Sequence, residues 1–147
     1  MTITALIAVY AAVLSTIGVA WQLYTWWERK RTKVEVRLFE DEDGEYPKEL
    51  WELVVVQVTN HSSHDIWINH ISLKATCEDR WLSFDWVVRW DGEKLPKPIA
   101  QGQQLEFARL AADIAMAVNT SSPVVARIRL GDNTIHDSRP TKIDPRC

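Results

Sequence analysis

Trp51-Glu52-Leu53-Val54-Val55-Val56-Gln57-Val58-Thr59 sets the fold class. It is rich in β-branched residues and nearly continuous in its apolar character, which predicts a central β-strand. Asn60-His61-Ser62-Ser63-His64-Asp65 follows, a run of turn formers whose side chains bond their own backbone. Then come Ile66-Trp67-Ile68 and Ile71-Ser72-Leu73-Lys74-Ala75. Apolar residues alternate within each piece, but the parity shifts by one at Asn69-His70. That predicts another strand, carrying a β-bulge.

The same pattern extends both ways. Upstream, Val34, Val36 and Leu38 alternate with Glu35 and Arg37, and Glu40 to Pro47 reads as an acidic turn. Downstream, Leu82, Phe84, Trp86, Val88 and Trp90 share one face of a predicted strand region. Leu95 to Ile99 is an extended connection in which Pro96 and Pro98 bar a regular ladder. Leu105 and Phe107 alternate within Gln103 to Leu110. Ala111 to Asn119 changes period: Leu110, Ile114 and Val118 recur every fourth residue, predicting a short helix that crosses between sheets. Val124 to Leu130, the Gly131-Asp132-Asn133 turn and Thr134 to Asp137 form a last hairpin. Residues 139–147 hold two prolines and are expected to fray. About seven short strands with polar turns between them make an antiparallel sandwich. The expected fold is mainly β: an immunoglobulin-like sandwich over residues 34–138 with one short crossover helix.

A different segment precedes it. Ile3 to Tyr24 carries no charge and no proline, and about 20 such residues in a helix cross a hydrocarbon core of about 30 Å. Trp21, Tyr24, Trp26 and Trp27 gather at its end, where amphipathic rings favour the headgroup layer. Arg29, Lys30, Arg31 and Lys33 follow at once. A cleaved signal peptide would place its cations first and end on small residues; this segment does neither. Residues 1–27 are therefore read as a retained transmembrane anchor and residues 28–33 as a basic juxtamembrane segment. The cations lie after the helix, so the positive-inside rule puts the N-terminus outside and the following domain in the cytoplasm, on the cell (inner) membrane. Thr4, Ala8, Ala12, Thr16 and Ala20 fall at every fourth position. Small residues at that spacing let helices approach closely, so this face is a candidate for homo-oligomerisation, against the plainer reading that Ala and Thr are common in such helices.

Charge narrows the partners. The chain carries −3 overall, from 17 Lys and Arg against 20 Asp and Glu. Setting aside Glu28 and the four cations before residue 34 leaves 13 against 19, a net −6 for the domain. A nucleic-acid binder usually has a basic footprint, so nucleic acid is not expected as a partner. The juxtamembrane cations suit anionic lipid of a bilayer. Cys77 and Cys147 are too few and too far apart for a disulfide framework, which agrees with a reducing compartment.

No residue pattern marks a reaction. There is no Gly-x-Ser-x-Gly, His-Glu-x-x-His or glycine-rich phosphate loop. His61, His64, Asp65 and His70 crowd one stretch and could hold zinc, but a polar turn capped by its own side chains explains them more simply. Glu40, Asp41, Glu42, Asp43 and Glu45 lack the spacing of a calcium loop. No metal, cofactor or enzymatic activity is expected. Eight tryptophans are more than a sandwich core needs. Trp67 and Trp81 are the candidates for a partner surface, because Trp81 falls out of parity with Trp86 and Trp90.

Val56-Gln57-Val58-Thr59-Asn60 leading to Ile66 and Ile68, then Ile71-Ser72-Leu73, Leu95-Pro96, Gly102, the helix around Asp113 and the hairpin at Asp132 give the chain a resemblance. It resembles small bacterial single-pass membrane proteins with an N-terminal helix and an immunoglobulin-like domain, over about residues 51–138. The resemblance implies a fold and no chemistry. The function expected is a membrane-tethered, non-enzymatic interaction module whose cytoplasmic sandwich binds a protein partner or itself. The alternative is a membrane-perturbing effector of a bacterial stress or antiviral system, triggered when a bound ligand clusters its domains.

Overall fold

The protein is described by a computed structural model covering residues 2–42 and 52–143. It separates into two units, residues 1–32 and residues 33–147.

The first unit is one helix, α1 (Ile3–Lys30). Thr2 caps it: the Ala5 N–H donates to the Thr2 hydroxyl oxygen at 3.4 Å, satisfying one of the free amides of the first turn. At 1.5 Å per residue its 28 residues span about 42 Å, more than a hydrocarbon core requires. None of its residues is buried, so it is one helix long and apolar enough to cross a membrane. The helix runs through Glu28, Arg29 and Lys30, so the basic segment begins inside it and not after it. Cations in a last turn meet the negative end of the helix dipole, which accounts for the extension.

The second unit contains β1 (Val34–Glu42), β2 (Glu52–Asn60), β3 (Ile66–Ala75), β4 (Leu82–Ser83), β5 (Val87–Val88), β6 (Lys97–Ile99), β7 (Gln104–Leu110), α2 (Ala111–Ala117), β8 (Val124–Leu130) and β9 (Ile135–Asp137). All pairings are antiparallel. One sheet has the order β1-β2-β7-β5, and the other β4-β3-β8-β9 with β6 also on β3. Apart from the short additions β4 and β6, this is the strand order of an immunoglobulin-type sandwich. Val36, Val54, Val56, Val58 and Phe107 of the first sheet pack into one core with Ile68, Ile71, Leu73, Ala126 and Ile128 of the second. α2 carries the chain from β7 in one sheet to β8 in the other, and Ile114 and Val118 enter the same core.

The expected bulge is present: the β3–β8 register shifts between Ile68 and His70, which lets Ile68 and Ile71 both face inward. Four expectations are corrected. Glu40, Asp41 and Glu42 continue β1 opposite Val54, Leu53 and Glu52, so any turn starts no earlier than Asp43, and Asp43, Glu45 and Pro47 lie outside the described residues. Lys97-Pro98-Ile99 pairs with Ile68-Trp67-Ile66; an edge strand tolerates the missing proline donor. The aromatic stretch is not one strand, because β4 and β5 belong to different sheets and the chain crosses between them at Phe84 to Trp86. Parity holds across that crossing, with Leu82, Phe84, Trp86 and Val88 all turned to the core, and breaks at the turn after Val88. Trp86 is buried and meets Phe84 edge-to-face at 6.3 Å, while Trp90 points out. Finally, the segment from Arg139 to Ile143 is pinned, and residues 144–147 lie outside the described residues. Thr141 and Val124 exchange two backbone hydrogen bonds, at 2.8 and 2.9 Å, and Ile143 is buried in the core.

Candidate interaction surface

The domain begins at a joint. The Lys33 N–H donates to the Ser62 hydroxyl at 2.8 Å, and the Lys33 carbonyl accepts from the His61 N–H at 2.8 Å and from the Ser62 hydroxyl at 3.2 Å. Ser62 is buried. Beside it, Asn60 is fully buried. Its amide donates to the His64 and Ile99 carbonyls, at 2.9 and 3.1 Å, and its oxygen accepts from the Ser62 N–H at 2.9 Å. One side chain thus ties the end of β2, the turn after it and β6 around the point where the chain comes in.

Strand register shows what else sits at this end. Val34 lies opposite Asn60, and Thr59 opposite Gln104. β5 runs antiparallel to β7, so the residues after Val88 head toward Gln104. They form a tight turn: the Gly92 N–H donates to the Val88 carbonyl at 2.9 Å, and the Val88 N–H to the Glu93 carbonyl at 2.7 Å. Trp90 occupies this turn at φ +81°, with 82% of its surface exposed. Its neighbour Arg89 is nearly buried and ion-pairs with Asp41 at 2.6 Å and Glu106 at 3.1 Å. Its guanidinium stands 4.6 Å from the Trp90 ring centre. Burial pushes Arg89 down, but the hydrogen bonds and charges of Asp41 and Glu106 outweigh it and hold its pKa above the ordinary value.

Trp67 and Trp81 both lie on the second sheet, at opposite ends. Trp67 is paired with Pro98 and is 52% exposed, between buried Ile66 and Ile68. Its carbonyl accepts the Gly131 N–H at 2.8 Å, and a Cβ on Gly131 would meet the Trp67 Cβ at 3.3 Å, so a glycine fits the close approach. Trp81 precedes β4, whose Leu82 pairs with Leu73. At about 3.3 Å per residue along β3, roughly 20 Å separates the two rings. Trp81 is half-buried under its own neighbours: the Arg127 guanidinium lies 4.0 Å from its centre and the Lys74 ammonium 5.1 Å. Arg127 also holds Asp137 by two bonds, at 2.7 and 2.9 Å.

On α1, Trp21 and Tyr24 have ring centres 6.1 Å apart. Lys30 stands 3.9 Å over Trp26 and Arg31 5.3 Å over Trp27, so these cations are poised on the rings one turn earlier. Arg29 closes the last turn. Ala8, Ala12, Thr16 and Ala20 are all exposed, and the Thr16 hydroxyl donates to the Ala12 carbonyl at 2.9 Å, hiding its polarity in the helix.

The histidine cluster does not converge. His61 pairs with Glu35 at 3.1 Å, His70 shares a 2.7 Å bond with the Ser83 hydroxyl, and Asp65 accepts from the Gln101 N–H. Among the described residues no three metal-binding side chains come together. Cys77 is exposed, and the Ser122 hydroxyl donates to its sulfur at 3.0 Å. A cleft of about 660 Å³ opens between β1, over Val34 to Phe39, and Asp137, Arg139 and Thr141. Among the described residues β1 is an edge strand, paired with β2.

Sequence reasoning missed Trp90. The signal was Trp90-Asp91-Gly92, since Asp-Gly marks a turn. A large residue at positive φ costs about 1–3 kcal/mol, against which the Arg89 contact returns about 0.5–1 kcal/mol. Trp90→Gly is therefore expected to raise stability by about 1 kcal/mol, read from urea midpoints of the full chain in micelles. A lower midpoint would mean the ring is packed.

Among the described residues, three carboxyls lie below their ordinary values. Hydrogen bonds from His61 and Arg37 lower Glu35, the Thr134 hydroxyl and N–H lower Asp132, and the Arg127 hydrogen bond lowers Asp137. A depressed carboxyl stabilises the fold above its unfolded value and loses that contribution as pH falls through its folded value. Unfolding midpoints are expected to be level near neutrality and to fall below about pH 4.5, the ordinary glutamate value. A midpoint that rises on acidification would contradict these pairings.

No protein-family model matches the chain, and no curated protein matches it. Among solved structures the chain is similar to a Bordetella pertussis protein solved as a candidate ApaA. The identity is 13% over 78% of this chain and 93% of that one, with a TM-score of 0.37. What stands of the resemblance is its layout: one N-terminal apolar helix and an antiparallel β domain.

Proposed function

We propose that the protein is a single-pass membrane-tethered interaction module without enzymatic activity, its helix crossing the inner membrane and its sandwich in the cytoplasm. One observation carries the reading: α1 exposes an apolar surface from Ile3 to Trp27, and such a surface in water is costly at about 25 cal/mol per Å². A bilayer removes that cost. Arg29, Lys30, Arg31 and Lys33 after the apolar run support the cytoplasmic orientation. The partner is a protein or a second copy of the chain. Tethering raises its effective concentration for other membrane-bound molecules. The edge strand β1 supports docking of an extended segment, and the Ala8, Ala12, Thr16 and Ala20 face supports self-association through the helix.

The test is fractionation with protease protection. The full chain is expected to resist carbonate extraction, and deletion of residues 3–27 to release it into the soluble fraction. Protease added to intact spheroplasts should spare the domain and digest it after permeabilisation. Digestion without permeabilisation would reverse the orientation, and release of the full chain by carbonate would remove the anchor.

A further inference from the structure

We propose that the end of the sandwich where the chain comes in from α1 rests in the headgroup layer of a bilayer, with Trp67 and Trp90 as its interfacial anchors. The inference rests on the membrane-spanning reading of α1. Among the described residues of the domain, Trp67 and Trp90 are the exposed tryptophans; Trp86 is buried and Trp81 is half-buried beneath Arg127 and Lys74. They come from different sheets: Trp67 stands near the start of β3, whose neighbour Ile99 is tied to Asn60, and β5 runs toward the same end, with Val88 opposite Phe107 and the Arg89 N–H on the Glu106 carbonyl, before the turn that holds Trp90. Trp81 is at the other end.

Trp90 is held outward in a backbone conformation that bulky residues rarely adopt. A strained turn that presents a large ring to solvent points to a use for the ring. An indole joins an apolar body to one N–H, the chemistry that collects at the water–lipid boundary. Carboxylates at this end have partners within the domain: Glu35 with Arg37 and His61, Asp65 with the Gln101 N–H of another loop, Asp91 with the Glu93 N–H, Glu93 with Lys97, and Asp132 with the Thr134 N–H and hydroxyl.

A protein surface could also take two such rings, but chain length argues against it. Only Arg31 and Thr32 stand between the last helical residue and Lys33, whose backbone three hydrogen bonds hold to the domain. The three extended steps from Lys30 to Lys33 span about 10 Å. That leaves room for headgroups and too little for a folded partner.

The full chain, labelled with fluorotryptophan and placed in phosphatidylcholine nanodiscs, supplies the test. Fluorine resonances are assigned from variants such as Trp67→Phe and Trp90→Phe, and a lipid carrying a nitroxide at its headgroup is then added. The Trp67 and Trp90 signals are expected to be lost along with those of Trp26 and Trp27, while Trp81 and Trp86 remain. If Trp26 and Trp27 vanish but Trp67 and Trp90 stay as sharp as Trp81, the anchor stands and this inference falls, leaving both rings for a protein. If Trp26 and Trp27 also stay sharp, the spanning reading falls and takes the inference with it.

Discussion

Asn60→Ala is expected to lower the unfolding free energy of the domain by about 3–4 kcal/mol, far more than the average surface substitution. The side chain is fully buried and makes three hydrogen bonds, all to backbone: to the His64 and Ile99 carbonyls and from the Ser62 N–H. Removing it orphans those groups in the interior, at about 1–3 kcal/mol for each one left dry. Water reaching the site would recover part of the loss, which sets the estimate well below the sum. The damage also reaches the joint, because Ser62 is the residue that clamps Lys33. Urea unfolding of the full chain in micelles measures the cost. Ser62→Ala provides the comparison, since it loses only the hydroxyl contacts to Lys33 and should cost about 1 kcal/mol. Equal losses in the two variants would mean that Asn60 organises nothing beyond its own turn.

Much of this architecture is written in residue pattern. Val54, Val56 and Val58 face the core and Leu105 and Phe107 answer them across the β2–β7 pair, as simple alternation requires. The bulge at Asn69-His70 was legible because a parity slip has few other causes. The apolar helix was legible because Ile3 to Tyr24 carries no charge and no proline. What could not be read was any feature set by which sheet a short segment joins. Leu82, Phe84, Trp86 and Val88 keep their alternation although β4 and β5 lie in different sheets, and Trp90 leaves it because the chain turns after Val88 with Trp90 at positive φ. The acidic run failed for a related reason: Glu40, Asp41 and Glu42 are poor strand formers, and pairing with β2 overrides that preference. The candidate surface was half legible. Trp67 is exposed, but Trp81 is partly covered by Lys74 from the preceding β3 and by Arg127 from β8, which is distant from it in sequence.

Ile143→Ala should cost about 3 kcal/mol, where a frayed tail would give a change near zero. Proline content and position near the end of the sequence argue for a loose segment, but Ile143 is 1% exposed within the core cluster. Truncating a buried isoleucine to alanine removes three carbons and leaves a cavity, typically at 2–5 kcal/mol. The segment leading to it is fixed by two backbone bonds between Thr141 and Val124, and the Ser138 hydroxyl accepts the Ala126 N–H at 2.9 Å. The substitution therefore reports on more than packing. Arg139 and Thr141 form one wall of the cleft beside β1, so a loosened Ile143 should also free the edge that a partner strand would use. Unfolding midpoints give the energetic part. Amide exchange at Val124 and Thr141 gives the structural part, and both amides should exchange faster in the variant. An unchanged midpoint with unchanged exchange would mean that the segment, and with it this wall of the cleft, is held by something other than the Ile143 side chain.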